Sequence, residues 1–275
     1  MKHFLIYTNI HKDPKLTVTT RISDYLIAHG GVCTQWQEAG FVTPEDADCM
    51  IVLGGDGTML QAARDVKLHH IPLIGVNLGT LGYMTEIELS SLEEALDKLL
   101  EDDFEVESRM MLNGRIYNGV HTGEENWALN DIVITRSGSL QIIKFKILVN
   151  GQFLNDYNAD GVIVTTPTGS TGYNLSAGGP IVEPKARLIM ITPICPHTLN
   201  QRSIILSAED VIEIEISEGR EGREQLVEVS FDGNHVIPVR TGERIRIVQA
   251  EKTTEIIQLN QVSFLEVLHK KMSES

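Results

Sequence analysis

The chain has little of what would crosslink it or carry it into a membrane. Its 275 residues include three cysteines, Cys33, Cys49 and Cys195. Widely spaced and odd in number, they argue against a disulfide framework or a zinc site and for reduced thiols in a cytoplasmic protein. No apolar run approaches membrane-spanning length. The opening Met1-Lys2-His3-Phe4-Leu5-Ile6-Tyr7 turns polar too soon for a signal peptide. Positive charge is also in deficit: 23 Lys and Arg face 38 Asp and Glu, a net charge of -15. That argues against a nucleic-acid or anionic-membrane surface, but a local nest of backbone amides can still bind an anionic small molecule. There is no internal repeat and no low-complexity segment. The remainder, 42% hydrophobic and 22% charged, is that of a soluble globular protein long enough for one large domain or two ordinary ones.

The chain is organised around Gly54-Gly55-Asp56-Gly57-Thr58. The apolar run Cys49-Met50-Ile51-Val52-Leu53 before it reads as a buried strand. Met59 to Arg64 after it has helix-forming composition. A glycine-rich strand-to-helix turn exposes backbone N–H groups at a helix N-terminus, where phosphate oxygens are favoured. Asp56 stands among these donors, suited to act as a general base, a magnesium partner or an acceptor for a ribose hydroxyl. The plainer alternative is a tight turn with Asp56 as a helix cap. The stretch is neither Gly-x-Gly-x-x-Gly nor a Walker A loop.

Strands are predicted at Phe4–Tyr7 and Ile71–Asn77, the latter ending in a loop Gly79-Thr80-Leu81-Gly82. A helix is predicted from about Thr17 to His29, closed by Gly30-Gly31. Ser91-x-x-Glu94 reads as a capping box, with Leu92, Ala95, Leu96, Leu99 and Leu100 as a helical core stripe behind it. Strands alternating with helices imply parallel βαβ units. Near Phe104 the texture changes to strands with little helix between them. Asn113-Gly114, Asn118-Gly119, Asn150-Gly151 and Asp232-Gly233 are hairpin-type turn signals. Lys144–Val149, Val211–Ile216 and Arg244–Val248 alternate in part, so this half reads as antiparallel β. Ser217–Glu224 reads as a solvated hairpin tip. Ser263–Met272 reads as a short helix with Phe264, Leu265, Val267 and Leu268 on its apolar side.

A second glycine-rich stretch, Thr166-Pro167-Thr168-Gly169-Ser170-Thr171-Gly172-Tyr173-Asn174-Leu175-Ser176, follows the apolar strand Val162–Thr165. Its hydroxyls can donate to phosphate or ribose and Tyr173 can stack; the alternative is a polar loop. Asn130-Asp131, at a strand start, could bind the vicinal hydroxyls of a ribose or form a turn, and Asp160-Gly161 has the same ambiguity. His197 could neighbour a phosphate, but a structurally satisfied histidine is the plainer reading.

Together these motifs resemble the NAD kinase family. The matching pieces are Gly54 to Thr58, Asn77-x-Gly79-x-x-Gly82, Asn130-Asp131, Asp160-Gly161, Thr166 to Tyr173 with Gly178-Gly179-Pro180, and Pro196-His197-x-Leu199 with Arg202. They occur in family order from about residue 49 to 205. The first is shared with lipid kinases and phosphofructokinases; the second loop is the specific one. The family commonly has Asn-Glu where this chain has Asn130-Asp131, alanine at Gly172 and proline at Ser203. The aspartate shortens the reach by one methylene, and Gly172 loosens the loop.

The resemblance implies an α/β plus all-β protein: an N-terminal Rossmann-like α/β domain (1–103), a C-terminal antiparallel β-sandwich domain (104–257), and a last segment (258–275) packed back on the first. It implies phosphorylation of the adenosine-ribose 2′-hydroxyl of NAD by ATP or polyphosphate, giving NADP. Asp56 would be the general base, and magnesium would come with ATP. Gly54, Gly55, Gly57 and Thr58 would hold the triphosphate, and Asn77 would be a further binding residue. Asn130 and Asp131 would bind ribose hydroxyls. Asn158, Asp160, Thr168, Gly169, Ser170, Thr171, Gly172, Tyr173 and Ser176 would hold the rest of the dinucleotide. No residue is assigned as a metal ligand. The family implies a homotetramer or homodimer in which a neighbouring subunit completes the NAD site, with no nucleic-acid or membrane partner. A non-catalytic NAD sensor is the alternative of another class, and retention of Asp56 counts against it. A lipid kinase is the alternative within enzymes, and the Thr166–Ser176 loop and the acidic charge count against that.

Overall fold

The structure, a computed structural model, describes the chain except for residues 37–43, 45, 66–70, 80–81, 120–121, 139–141, 198–201, 261–262 and 274–275. It divides into two compact units, Met1–Arg109 with Thr254–Ser275, and Met110–Thr253. Along the chain come β1 (His3–Thr8), α1 (Thr17–Ala28), β2 (Val32–Gln35), β3 (Cys49–Gly54), α2 (Asp56–Asp65), β4 (Leu73–Asn77), β5 (Thr85–Ile87), α3 (Leu92–Leu100) and β6 (Glu105–Tyr117). Then follow β7 (Asn126–Ala128), β8 (Asp131–Arg136), β9 (Ile143–Val149), β10 (Gln152–Ala159), β11 (Gly161–Thr165), α4 (Tyr173–Ser176), β12 (Leu188–Ile194) and β13 (Ile204–Ser207). The chain ends with β14 (Ile212–Ile216), β15 (Leu226–Phe231), β16 (His235–Arg240), β17 (Arg244–Gln258) and α5 (Phe264–Ser273). The unit boundaries fall inside the long strands β6 and β17, so the change of texture near Phe104 precedes the division by a few residues.

In the first unit β2, β1, β3 and β4 lie side by side, all parallel, with the end of β17 joining β4 at Ile256 opposite Leu73. Cys49 to Leu53 is fully buried, as expected for a strand covered on both faces. Leu16 supplies no side-chain cap for α1. Instead the Asp13 carboxylate accepts the N–H groups of Thr17, Val18 and Thr19 and the Thr19 hydroxyl. Burial alone would push the Asp13 carboxyl up, but these bonds hold it below the usual range. Helix α3 buries Leu92, Ala95, Leu96 and Leu99 as expected. The capping box does not form: Leu89–Ser91 is already a 3₁₀ turn, and the Ser91 hydroxyl donates to Glu88 O at 3.3 Å. After β17, Leu259 and Asn260 donate their N–H groups to the Glu86 carboxylate at 3.0 and 2.7 Å. In α5, Phe264, Val267 and Leu268 are half-buried, whereas Leu265 is 70% exposed. One helical step from Phe264 turns it off that face.

The second unit is a sandwich. One sheet runs β10-β9-β14-β17 and the other β13-β12-β11-β8-β15-β16, all antiparallel. Alternating side chains of both meet in one core, Phe145, Ile147, Ile214 and Ile245 from the first, Ile134, Val162, Ile191 and Val229 from the second. Asn150-Gly151 and Asp232-Gly233 each take two successive positive φ values, 52° and 75°, then 50° and 71°, as tight hairpin turns require. Asn113-Gly114 is not a turn: it lies within β6. A Cβ on Gly114 would stand 2.7 Å from the Phe231 ring and 2.8 Å from Ile132, so glycine is there for core packing. Ser217–Glu224 is not a hairpin tip either, because β14 and β15 belong to different sheets and the segment crosses between them.

Candidate functional site

In the first unit the candidate residues gather at the C-terminal ends of β1, β3 and β4. The chain runs outward from β1 to β2 and returns on the other side of β1 as β3. The crevice of such a parallel sheet opens between the loops at that reversal. The Gly55 carbonyl accepts the N–H groups of Thr58 (2.9 Å) and Met59 (3.1 Å), so α2 starts at Asp56, earlier than its composition suggests. The first N–H groups of a helix have no partner within it. A Cβ on Gly54 would overlap the Thr58 hydroxyl, which accepts a bond from Asn9 Nδ2 at 3.1 Å. Gly57 is exposed with nothing within 4 Å of where its Cβ would stand, so the approach to these amides is open.

Asp56 is held from the loop after β4. Its Oδ2 accepts the Tyr83 N–H at 2.8 Å and its Oδ1 the Met84 N–H at 3.0 Å. Burial, and then the Asp56 charge, push the Tyr83 hydroxyl pKa up, so that hydroxyl keeps its proton. Asn77 folds its carboxamide onto Gly79, donating to its carbonyl and accepting its N–H, both at 3.0 Å. It shapes the turn and leaves one Nδ2 N–H over. Thr80 and Leu81 lie outside the described residues.

Sequence reasoning missed Lys12. It sits in the β1–α1 loop, with Nζ 3.1 Å from where a Gly55 Cβ would stand and 3.5 Å from the Gly79 equivalent. Among the described residues no carboxylate pairs with this exposed ammonium. No motif marks it; only the topology that sets β1 beside β3 could have found it.

In the second unit β8 and β11 run antiparallel, Asp131 opposite Thr165. This brings the Asn130-Asp131 pair against the glycine–hydroxyl loop. The Asn130 carbonyl accepts the Thr166 N–H and the Thr165 hydroxyl, both at 2.9 Å, and Leu129 O accepts the Thr166 hydroxyl at 2.6 Å. Gly169 packs so closely that a Cβ would overlap Asn130 O. A Gly172 Cβ would come 3.4 Å from Asn130 Nδ2. Asn130 Oδ1 is buried without a hydrogen-bond partner. Asp131 is buried, and its carboxyl pKa is pushed up to about 7 by that burial and by the charge of Asp232.

Several loop hydroxyls brace the loop instead of facing outward. Ser170 Oγ accepts the Val182 N–H and donates to Val182 O, both at 3.1 Å. The buried Asn174 donates to Ser170 O and Pro180 O and accepts the Thr192 hydroxyl at 2.7 Å. Ser203, where the family has proline, extends this chain with a 2.8 Å bond to Thr192. Thr168 is buried, Thr171 and Gly172 are half-buried, and Tyr173 and Ser176 are exposed.

Asp160 and Asn158 are not brought to this loop. They precede the five-residue β11, while the loop follows it, a separation of roughly 20 Å or more at strand rise. Asp160 pairs with Arg136 at 3.6 Å, and exposed Asn158 accepts the His197 N–H at 2.7 Å. The His197 ring is exposed and makes no hydrogen bond among the described residues, contrary to the reading of a satisfied histidine. Leu199 lies outside the described residues.

A parallel sheet with an amide-rich turn at its reversal, and a sandwich carrying a second glycine loop, define a nucleotide-binding kinase architecture. The model of the ATP-NAD kinase N-terminal domain matches residues 10–104, and that of the C-terminal domain residues 129–259. An NAD kinase of Lachnospira eligens is 48% identical, covering 99% of this chain and 100% of its own. One of Lachnoclostridium phytofermentans is 44% identical, covering all of both. Among solved structures, an Archaeoglobus fulgidus NAD kinase in complex with ATP superposes with a TM-score of 0.79 at 27% identity, covering 99% of each chain. Yeast NADH kinase complexed with NADH shares the fold, with a TM-score of 0.84 at 22% identity, covering 99% of this chain and 88% of its own. The chain belongs to the NAD kinase family.

Proposed function

We propose that the chain transfers the terminal phosphate of ATP to the adenosine-ribose 2′-hydroxyl of NAD. As a family member it is a phosphotransferase that forms NADP from NAD; the donor and the role of each residue are the proposed part. The observation that carries the reading is Asp56, held by two N–H groups at the mouth of α2 with a lone pair free on each oxygen. Asp56 takes the proton of the 2′-hydroxyl as that oxygen bonds to the γ-phosphorus. The bond from phosphorus to the bridging oxygen breaks, and ADP leaves. The open amides around Gly57 and the Lys12 ammonium receive donor phosphate oxygens. Asn130 and Asp131 bind ribose hydroxyls beside the Thr166–Ser176 loop.

Among the described residues no group of three or more His, Cys, Asp or Glu side chains could hold a metal ion. A magnesium ion arriving with ATP would be held chiefly by the phosphates, and would offset their charge. We further propose a homotetramer or homodimer in the cytoplasm. The separation of Asp160 and Asn158 from the loop supports a shared site, in which these residues serve a neighbouring subunit's dinucleotide. The three free cysteines support a reducing compartment.

The test is to mix purified protein with NAD, magnesium and ATP and couple product to an NADP-specific dehydrogenase. NADP is expected, and no phosphorylation of diacylglycerol. Folded protein that binds NAD but yields no NADP with ATP or polyphosphate would leave a sensor.

A further inference from the structure

The two polar residues at the head of β8 are gripped by a residue a hundred positions away. Asp232 forms the tight turn between β15 and β16. Its Oδ2 accepts the Leu129 N–H at 2.8 Å, and its Oδ1 accepts those of Asn130 at 2.8 Å and Asp131 at 3.1 Å. The Asp232 N–H donates back to Asp131 O at 3.0 Å. Three successive N–H groups on one carboxylate fix the peptide planes of 129–131, and those planes decide where the next side chains leave the backbone. One of them, Asn130, carries a buried carboxamide oxygen that no protein donor reaches. The other, Asp131, has no donor on its carboxylate among the described residues, and the charged group facing it is Asp232. Folding gains nothing from a buried carboxylate that no donor reaches or from an orphaned amide oxygen. Both are intelligible if the groups await a ligand.

We propose that Asp232 is a positioning residue of the dinucleotide site, whose grip on the 129–131 backbone holds Asn130 and Asp131 ready for the vicinal hydroxyls of a ribose. This rests on the reading of that pair as ribose-binding. Asp232 touches no substrate; it acts through the two residues that do.

Two variants separate this role from that of a hairpin turn. Asp232→Gly adopts positive φ freely, so the turn persists while all three bonds are lost. Asp232→Asn tolerates the same conformation and keeps one acceptor oxygen, enough for the Asn130 and Asp131 N–H groups. For Asp232→Gly the KM for NAD should rise about ten- to hundredfold, with the KM for ATP unchanged and kcat falling less. Asp232→Asn should recover much of the loss. It should also move the pH dependence of the NAD KM to lower pH, because the anion facing Asp131 is gone. A wild-type KM for NAD in Asp232→Gly would overturn the proposal, as would equal rises in both KM values with a lowered Tm. If the unaltered protein makes no NADP, the functional reading fails instead. Calorimetric NAD binding then still decides, and equal affinities for wild type and Asp232→Gly would overturn the proposal.

Discussion

A side chain at Gly82 would occupy the space of the Asp56 carboxylate, its Cβ overlapping Oδ1 and lying 2.8 Å from Oδ2. The glycine therefore lets the backbone of 82–84 close onto Asp56 and hold both its oxygens. In Gly82→Ala the carboxylate must leave the Tyr83 and Met84 N–H groups. If Asp56 is the base, kcat should fall roughly 10²-fold, with NAD binding little changed. Steady-state kinetics beside calorimetry would check this; a kcat within about twofold of wild type would mean that the held geometry is not used.

The contrast between Asp56 and Asp131 tests their separate roles. Asp56→Asn keeps shape but removes the basic carboxylate, so kcat should fall about 10²- to 10⁴-fold while NAD affinity holds. Asp131→Ala leaves a ribose hydroxyl without its partner, costing roughly 1–3 kcal/mol in binding. That loss should appear in affinity and kcat/KM, because a clamp acts on ground and transition states alike. Near-normal kcat in Asp56→Asn would remove Asp56 as the base.

Lys12 gives a prediction that no motif supplied. Its ammonium is exposed beside two glycines and has no carboxylate partner among the described residues. Lys12→Met should therefore leave stability within about 0.5 kcal/mol. The KM for ATP should rise about tenfold, as expected for one lost charged contact to phosphate, with the KM for NAD unchanged. Lys12→Arg should restore part of the affinity. Unchanged ATP kinetics in Lys12→Met would show that the ammonium does not meet the donor.

What was legible in the sequence follows what local chemistry can encode. The buried strand Cys49–Leu53, the glycine turn after it and the α3 stripe are written in adjacent residues, and the structure has them. Asn150-Gly151 reads correctly as a hairpin because the turn is made by those two residues alone. Asn113-Gly114 misleads, since Gly114 answers to the Phe231 ring from a distant strand. Lys12, and the bonds of Asp232 to residues 129–131, were invisible for the same reason: each meets residues that only the sheet topology brings near. Ser170 and Asn77 have the expected chemistry but turn it on their own backbone, which residue type cannot reveal.

Asp131, buried beside Asp232, should leave a signature in the pH dependence of stability. Burial and the facing Asp232 charge push the Asp131 carboxyl up to about 7 in the folded chain. Unfolded, it titrates near 3.9. Between these values the folded state binds more protons than the unfolded state, so this group lowers stability as pH rises from about 4 to about 7 and adds no slope beyond that window. The sign is opposite to that of a salt-bridged aspartate. Asp131→Asn removes the term, since its amide stays neutral and can donate where the carboxylate repelled. At pH 8 the variant should be more stable than wild type by roughly 1–3 kcal/mol. At pH 4 the two should nearly coincide. Urea unfolding of both proteins at several pH values from 4 to 8, without nucleotide, measures the difference directly. Parallel stability curves would mean that Asp131 titrates normally and that the two carboxylates do not feel each other. A gap that opens as pH rises, together with the loss of NAD affinity in the same variant, would show an aspartate kept at a cost to the fold for the sake of a ribose.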